Sequence, residues 1–245
     1  MAVARAGVIS SVRNPFLQDI RRALRRGELT DQGLCAVEGL HLLEEALRSR
    51  VRIEATLGSE PVDGVSYYEV PERVLSAIAS TKTSPGVISL VRLPSREADE
   101  LKTQPALIVL LDGLQDPGNA GTIFRSAEAF GATGAVFLPG SVSPYNAKLI
   151  RASAGSIFRV PFLAGPVEFD IPVYAAQPHG GVPAPEVDWT RPCALVIGSE
   201  AHGVSRELAV RATPVQIPTT GVESLNAAVS ASILLYEAAR QRRAR

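Results

Sequence analysis

The chain is poor in cysteine. Cys35 and Cys193 are the only two in 245 residues, and they lie in separate strand-like runs with no CxxC pair. That excludes a disulfide framework and a thiolate metal site, and leaves two buried free thiols in a reducing compartment as the expectation. Long apolar runs are also missing. No stretch reaches the roughly 18 residues of a membrane span, and the opening "MAVARAGVISSVRNPF" lacks the continuous apolar core of a signal peptide. A soluble, cytoplasmic protein with no membrane partner is expected. Net charge is absent too: 25 basic side chains offset 25 acidic ones, which argues against a uniformly basic nucleic-acid binder. Neither GxGxxG nor GxxxxGK[ST] occurs, so nicotinamide and nucleoside-triphosphate enzymes lack motif support. No metal cluster is visible, and none is expected.

What remains is an ordinary globular composition, 46% hydrophobic, in a chain long enough for one or two domains. The charge is unevenly spread. Arg5, Arg13, Arg21, Arg22, Arg25 and Arg26 face a single acid, Asp19, near the start, and Arg240, Arg242, Arg243 and Arg245 close the chain. Solvated helix ends and a phosphate-binding surface both fit that distribution.

The first part reads as a small α/β unit over residues 1–93. "SVRNPFLQDIRRALRRGE" has a helical period, with Phe16, Leu17, Ile20 and Leu24 on one side. "GLCAVEG", "VRIEATLG", "VSYYEV" and "GVISLVRL" read as strands, and "GLHLLEEALRS" and "PERVLSAIAS" as helices. The polar stretch 94–105, "PSREADELKTQP" with its edge residues Pro94 and Pro105, reads as a linker. Residues 106–245 then alternate strand, loop and helix, starting from the buried-strand run "ALIVLLDGL" and ending in the helix "SLNAAVSASILLYEAARQRR". This is an α/β domain with a mostly parallel sheet, whose site should lie where loops leave the carboxyl ends of the strands.

Three such strand ends run into glycine-bearing polar loops: "DPGNAGTIFRSAEAFGA", "LVIGSEAHGVS" and "IPTTGVESLNAAVSASILLYE". In order and setting they resemble the three signature motifs of the SpoU/TrmH branch of the SPOUT methyltransferases. Asn119, Gly121 and Arg125 match the first, Gly198 and Glu200 the second, and Ser224, Leu225 and Asn226 the third. The resemblance covers residues 105 to 243 strongly. Residues before about 93 resemble, less sharply, the RNA-binding domain these enzymes carry in front.

The resemblance implies a deep trefoil knot whose loops hold S-adenosyl-L-methionine, a homodimer, and 2′-O-ribose methylation of structured RNA, 23S ribosomal RNA in the first place. The alternatives are a transfer-RNA enzyme of the same chemistry and a non-catalytic RNA-binding or ribosome-assembly factor that keeps the fold. It implies a catalytic set of Asn119, Arg125, Glu200, Ser224 and Asn226. Within it Arg125 would stabilise charge on the 2′-oxygen, and Glu200 would fix the geometry of Arg125. Ile197, Gly198, Ile217, Gly221, Ser224 and Leu225 would line the cofactor site. Arg21, Arg22, Arg25, Arg26, Lys148 and Arg151 are the candidate RNA contacts. Plainer roles stay open: Asn119 suits a cap for a helix starting near Thr122, Ser224 suits the N-cap of the last helix, and Arg125 could be a surface charge. His41, His179 and His202 have no convincing catalytic setting.

Overall fold

The structure, a computed structural model, describes residues 5–93, 97–103, 105–168 and 170–244, without the side chain of Arg5. Residues 1–4 of the expected first domain, residues 94–96 and 104 of the expected linker, and Arg245 lie outside the described residues.

Two compact units emerge, and they are not consecutive in the chain. Met1–Ser95 with Ser143–Phe158 form one, and Arg96–Val142 with Arg159–Arg245 form the other. The sequence reading assigned 143–158 to the second domain. Its side chains explain its place in the first. The Ser143 hydroxyl donates to the Gly27 carbonyl at 2.6 Å, Ala147 joins the first unit's apolar core, and Arg151 Nη1 lies 2.5 Å from Glu38 Oε2.

The first unit has a five-stranded sheet in the order β1-β4-β3-β5-β2. Its strands are β1 (Arg5–Val8), β2 (Cys35–Glu38), β3 (Arg52–Gly58), β4 (Tyr67–Glu69) and β5 (Val87–Arg92). Strand β1 was not expected; it pairs in parallel with β4, a contact that nothing local announces. Helix α1 (Pro15–Arg26) opens with Pro15 in its first turn and the Asn14 side chain accepting from the Phe16 N–H. It closes on Gly27 at φ 67°, which satisfies the Ala23 carbonyl in a conformation that costs other residues more. Its Leu17, Ile20, Ala23 and Leu24 are buried. Helices α2 (Leu40–Arg48) and α3 (Glu72–Ile78) complete the layer around the sheet, with α5 (Ala147–Ala152) supplied from the later segment.

The second unit has a seven-stranded sheet in the order β10-β12-β9-β11-β6-β7-β8, parallel at every pairing. Its strands are β6 (Leu107–Asp112), β7 (Gly134–Phe137), β8 (Phe162–Ala164), β9 (Val173–Ala176), β10 (Val182–Pro183), β11 (Cys193–Gly198) and β12 (Thr213–Gln216). All six residues of β6 are buried, as a central parallel strand covered on both faces requires. Helices α4 (Pro117–Ala129), α6 (Arg206–Arg211) and α7 (Ala227–Arg243) belong to this unit.

Within the expected linker, Ala98–Leu101 is a 3₁₀ turn closed by a capping box between Glu97 and Glu100. Leu101 is fully buried in the core and occupies the space a Cβ at Gly134 would need. Part of the polar stretch therefore belongs to the second unit's fold. Both cysteines are free and buried, and burial pushes the Cys35 thiol up to about 12. No helix among the described residues is long and apolar enough to cross a membrane.

One arginine ties the end of the chain to the sheet. Arg242 on α7 donates from Nε to the Trp189 carbonyl at 2.7 Å, from Nη1 to Pro105 at 2.7 Å, and from Nη2 to Ala106 at 2.9 Å and Arg191 at 3.0 Å. These carbonyls precede β6 and β11, neighbours in the sheet. Charge-assisted bonds of this kind are worth about 1.5–3 kcal/mol. Arg242→Ala is therefore expected to cost about 3 kcal/mol and to lower the midpoint of thermal unfolding by roughly 6–12 °C. Arg242→Lys should recover little, because an ammonium cannot reproduce the planar fork.

Candidate functional site

Parallel strands β9, β11 and β12 are neighbours, and the loops at their carboxyl ends surround a cavity of about 670 Å³. Ile197, Gly198, Ile217, Ser224 and Leu225 line it, with Glu200 and Asn226. Gly221 is not among the lining residues. It sits in an exposed loop at φ 78°, with open space around its Cα.

The second motif forms a tight turn. Ser199 and Gly203 exchange both backbone hydrogen bonds, at 3.0 and 2.9 Å, and the Ser199 hydroxyl accepts from the His202 N–H at 3.1 Å. Gly198 was expected to line the cofactor site, which would explain a small residue by the approach of a ligand. The structure gives a different reason: a Cβ there would overlap the Gly203 backbone. Asp112, at the end of β6, accepts from the Ser205 N–H at 2.6 Å and so anchors the far side of this turn.

The first and third motifs meet through side-chain amides. Helix α4 starts earlier than expected, at Pro117, because Asp116 caps it by accepting from the Asn119 N–H at 2.7 Å. Asn119 is therefore inside the first turn and is not the cap. Helix α7 is capped by Asn226 rather than Ser224, with Asn226 Oδ1 accepting from the Ala228 and Val229 N–H groups at 2.9 and 3.2 Å. That cap leaves the Asn226 Nδ2 to donate to Asn119 Oδ1 at 3.1 Å. Asn119 Nδ2 then donates to Glu200 Oε1 at 2.6 Å. One residue from each motif thus joins a directed relay whose polarity is fixed by a helix cap.

Arg125 stands apart from this relay. It is exposed on α4, does not line the cavity, and makes no hydrogen bond or ion pair among the described residues. Glu200 was expected to fix Arg125; its partner is instead Asn119. The candidate RNA contacts divide in the same way. Arg25 and Arg26 are exposed in the last turn of α1, and Lys148 is exposed on α5. Arg22 is held by Asp19 and Asp31, at 2.5 and 2.7 Å. Arg21 has its Nε buried without a hydrogen-bond partner. Arg151 bridges Glu38 and the Ser80 hydroxyl, and the Glu38 side chain is 1% exposed, so its charge closes an internal ion pair.

Sequence reading missed Gln177, His179 and Glu223 on the cavity wall. Glu223 was one step from a motif residue. Gln177 and His179 follow β9, whose place beside β11 is set by a crossover that chain order does not reveal. Among the described residues no group of three or more His, Cys, Asp or Glu is placed to hold a metal ion.

Residues 106–236 match the model of the SpoU rRNA Methylase family. A 23S rRNA (guanosine(2553)-2′-O)-methyltransferase of Bacillus subtilis, RlmP, is 31% identical, covering 93% of this chain and 97% of that protein. The crystal structure of the SpoU methyltransferase AviRb from Streptomyces viridochromogenes, in complex with AdoMet, aligns with a TM-score of 0.80 at 27% identity over 95% of this chain and 100% of that one. An AdoMet-bound rRNA methyltransferase from Sinorhizobium meliloti aligns with a TM-score of 0.82 at 29% identity, covering 95% and 97% of the two chains.

The two glycines of the second-motif turn should respond unequally to a methyl group. Gly198→Ala overpacks backbone against backbone and is expected to cost about 3 kcal/mol, the upper end of such insertions. Gly203 has φ 67° but open space around it, so Gly203→Ala carries only the left-handed strain of about 1–2 kcal/mol. Denaturant unfolding of both variants checks this. Equal losses would remove the close approach as the reason for Gly198.

Proposed function

Because the chain belongs to the SpoU rRNA methylase family, we propose that it transfers the methyl group of S-adenosyl-L-methionine to a ribose 2′-hydroxyl of 23S ribosomal RNA. The observation that carries this reading is the cavity itself, walled by the second and third motif loops and joined to the first motif through Asn226, Asn119 and Glu200. Its volume lies within the roughly 300–1,000 Å³ of small-molecule sites. Ile197, Ile217 and Leu225 offer apolar walls to a flat purine, while Ser224 and nearby backbone groups offer the few polar contacts that fix orientation. When bound, the cofactor supplies an activated methyl group on a sulfonium, with a neutral thioether as the leaving group.

The chain's own residues must orient the hydroxyl and accommodate the charge that grows on its oxygen. Asn119 is held by Asn226 and Glu200, and Asn226 by the start of α7, so either can steady a hydroxyl without reorganising. Arg125 acts as a fixed cation toward the 2′-oxygen and its adjacent phosphate. The hydroxyl proton then leaves to a phosphate oxygen or to water. The absence of any partner for Arg125 among the described residues supports its being kept for the substrate. No metal enters this scheme.

The reading includes the family's deep trefoil knot, a cytoplasmic location and a homodimer. The knot is supported by the agreement with solved relatives over 95% of the chain. The dimer is supported by α7, which buries Ala228, Ala231, Leu234, Leu235, Ala238 and Ala239 on one side. On the other it leaves Val229, Ile233 and Tyr236 exposed at helical spacing. Ribosomal RNA is preferred to transfer RNA because the rRNA-methylating relative is matched over 93% of this chain, front unit included.

Transfer of tritium from labelled cofactor to 23S ribosomal RNA, with transfer RNA as the comparison, tests the activity. Labelling of neither would favour the non-catalytic alternative, and labelling of transfer RNA alone would correct the substrate. In that assay Arg125→Ala should reduce the single-turnover rate about a hundredfold or more, with cofactor affinity nearly unchanged. Arg125→Lys should restore only part of it. A loss of cofactor binding in Arg125→Ala would argue against the assigned role.

RNA affinity gives a separate expectation. Replacing exposed Arg25 and Arg26 with Gln should weaken RNA binding and lower the slope of log K against log salt by roughly 1.4–1.8, the release of about two counterions. Arg22→Gln and Arg151→Gln should instead lower stability, since both arginines are held by carboxylates. An unchanged slope in the Arg25/Arg26 double variant would assign those two to solvent.

A further inference from the structure

Among the described residues the cavity wall holds two carboxylates, Glu200 and Glu223, and His179, and no lysine or arginine. Glu200 accepts from the neutral amide of Asn119, which steadies the carboxylate without cancelling its charge. Glu223 is exposed and has no hydrogen-bond or ion-pair partner among the described residues. It lies three residues before Asn226, the cap of α7. A wall so composed presents negative charge to whatever enters it.

The two forms of the cofactor differ in charge. S-adenosylmethionine carries a sulfonium, an ammonium and a carboxylate, a net single positive charge. S-adenosylhomocysteine has lost the sulfonium charge with the methyl group and is neutral overall. We infer that Glu223, together with Glu200, reads this difference, so that the cavity prefers the cationic methyl donor and releases its neutral product. Glu223 is then a specificity-determining residue that none of the three motifs required, and each turnover removes the charge that helped hold the ligand. The inference rests on the cavity being the S-adenosylmethionine site. The same wall disfavours nucleoside phosphates, whose negative charge the two carboxylates would repel.

Calorimetry on the full chain tests this with three ligands: S-adenosylmethionine, S-adenosylhomocysteine, and sinefungin, in which a carbon-borne amine supplies a positive charge without a sulfonium. The native protein should bind the two cations more tightly than the neutral product, and the gap should narrow at high salt. Because Glu223 is exposed, its share is modest. Glu223→Gln should weaken both cations about threefold and leave the product unchanged. Glu223→Asp should restore the preference, and Glu223→Lys should reduce it further. Equal weakening of all three ligands would make Glu223 a shaping residue and overturn the inference, as would an unaltered ratio in Glu223→Gln. Absence of binding by every ligand to the native protein would instead reject the cofactor reading on which the inference rests.

Discussion

The side chain of Asn226 does two things that cannot be separated. Its Oδ1 caps α7 by accepting from two backbone N–H groups, and that commitment leaves only its Nδ2 for Asn119. Asn119 must then receive through its oxygen and donate through its nitrogen to Glu200. A helix start, which any Asn, Ser or Asp could provide, thereby sets the amide orientation of a residue 107 positions earlier in the chain. The sheet makes this possible: β11 pairs β6 in parallel register from Cys193–Leu107 to Gly198–Asp112, which brings the second motif's loop to the same end as the first.

Backbone geometry at the second motif has a similarly narrow cause. The Ser199–Gly203 turn folds back on the end of β11, and Gly198 leaves room for it. The loop therefore offers Glu200 and Ala201 to the cavity from a fixed platform, with the Asp112–Ser205 bond securing its return. Small residues in this region serve the protein's own backbone first, and the ligand benefits from the rigidity that results.

Much of this was legible in the sequence because it was written in local patterns. The apolar run ending at Asp112 and the period of "FLQDIRRAL" reported the elements they became; of the three polar loops at strand ends, the second and third line the cavity and the first reaches Glu200 through Asn119. One misreading was local: Asp116, three residues before Asn119, caps α4 and moves its start ahead of that residue. The others share a cause, a deciding partner distant in the chain. Glu38 and Gly27 drew residues 143–158 into the first unit, although the chain there runs between two strands of the second. Leu101 is core although its neighbours are polar. Residues Gln177 and His179 reached the cavity wall through the placement of β9 beside β11 and β12, which follows from sheet order rather than from sequence order.

A balanced formal charge conceals three different uses of arginine. Arg242 spends its donors on four backbone carbonyls, where no lysine could follow the geometry. Arg22 and Arg151 neutralise carboxylates, one of them almost fully buried, where an unpaired charge would be costly. Arg125 does neither. An exposed guanidinium without a partner contributes little to folding, so folding alone does not account for its presence within the first motif. The distinction that matters for function is whether the fold already satisfies a cation, since only an unsatisfied one keeps its full field for a phosphate or a developing oxyanion. By that criterion the folded chain separates Arg22, Arg151 and Arg242 from arginines it leaves unsatisfied among the described residues, Arg25, Arg26 and Arg125, and among these only Arg125 lies in the first motif.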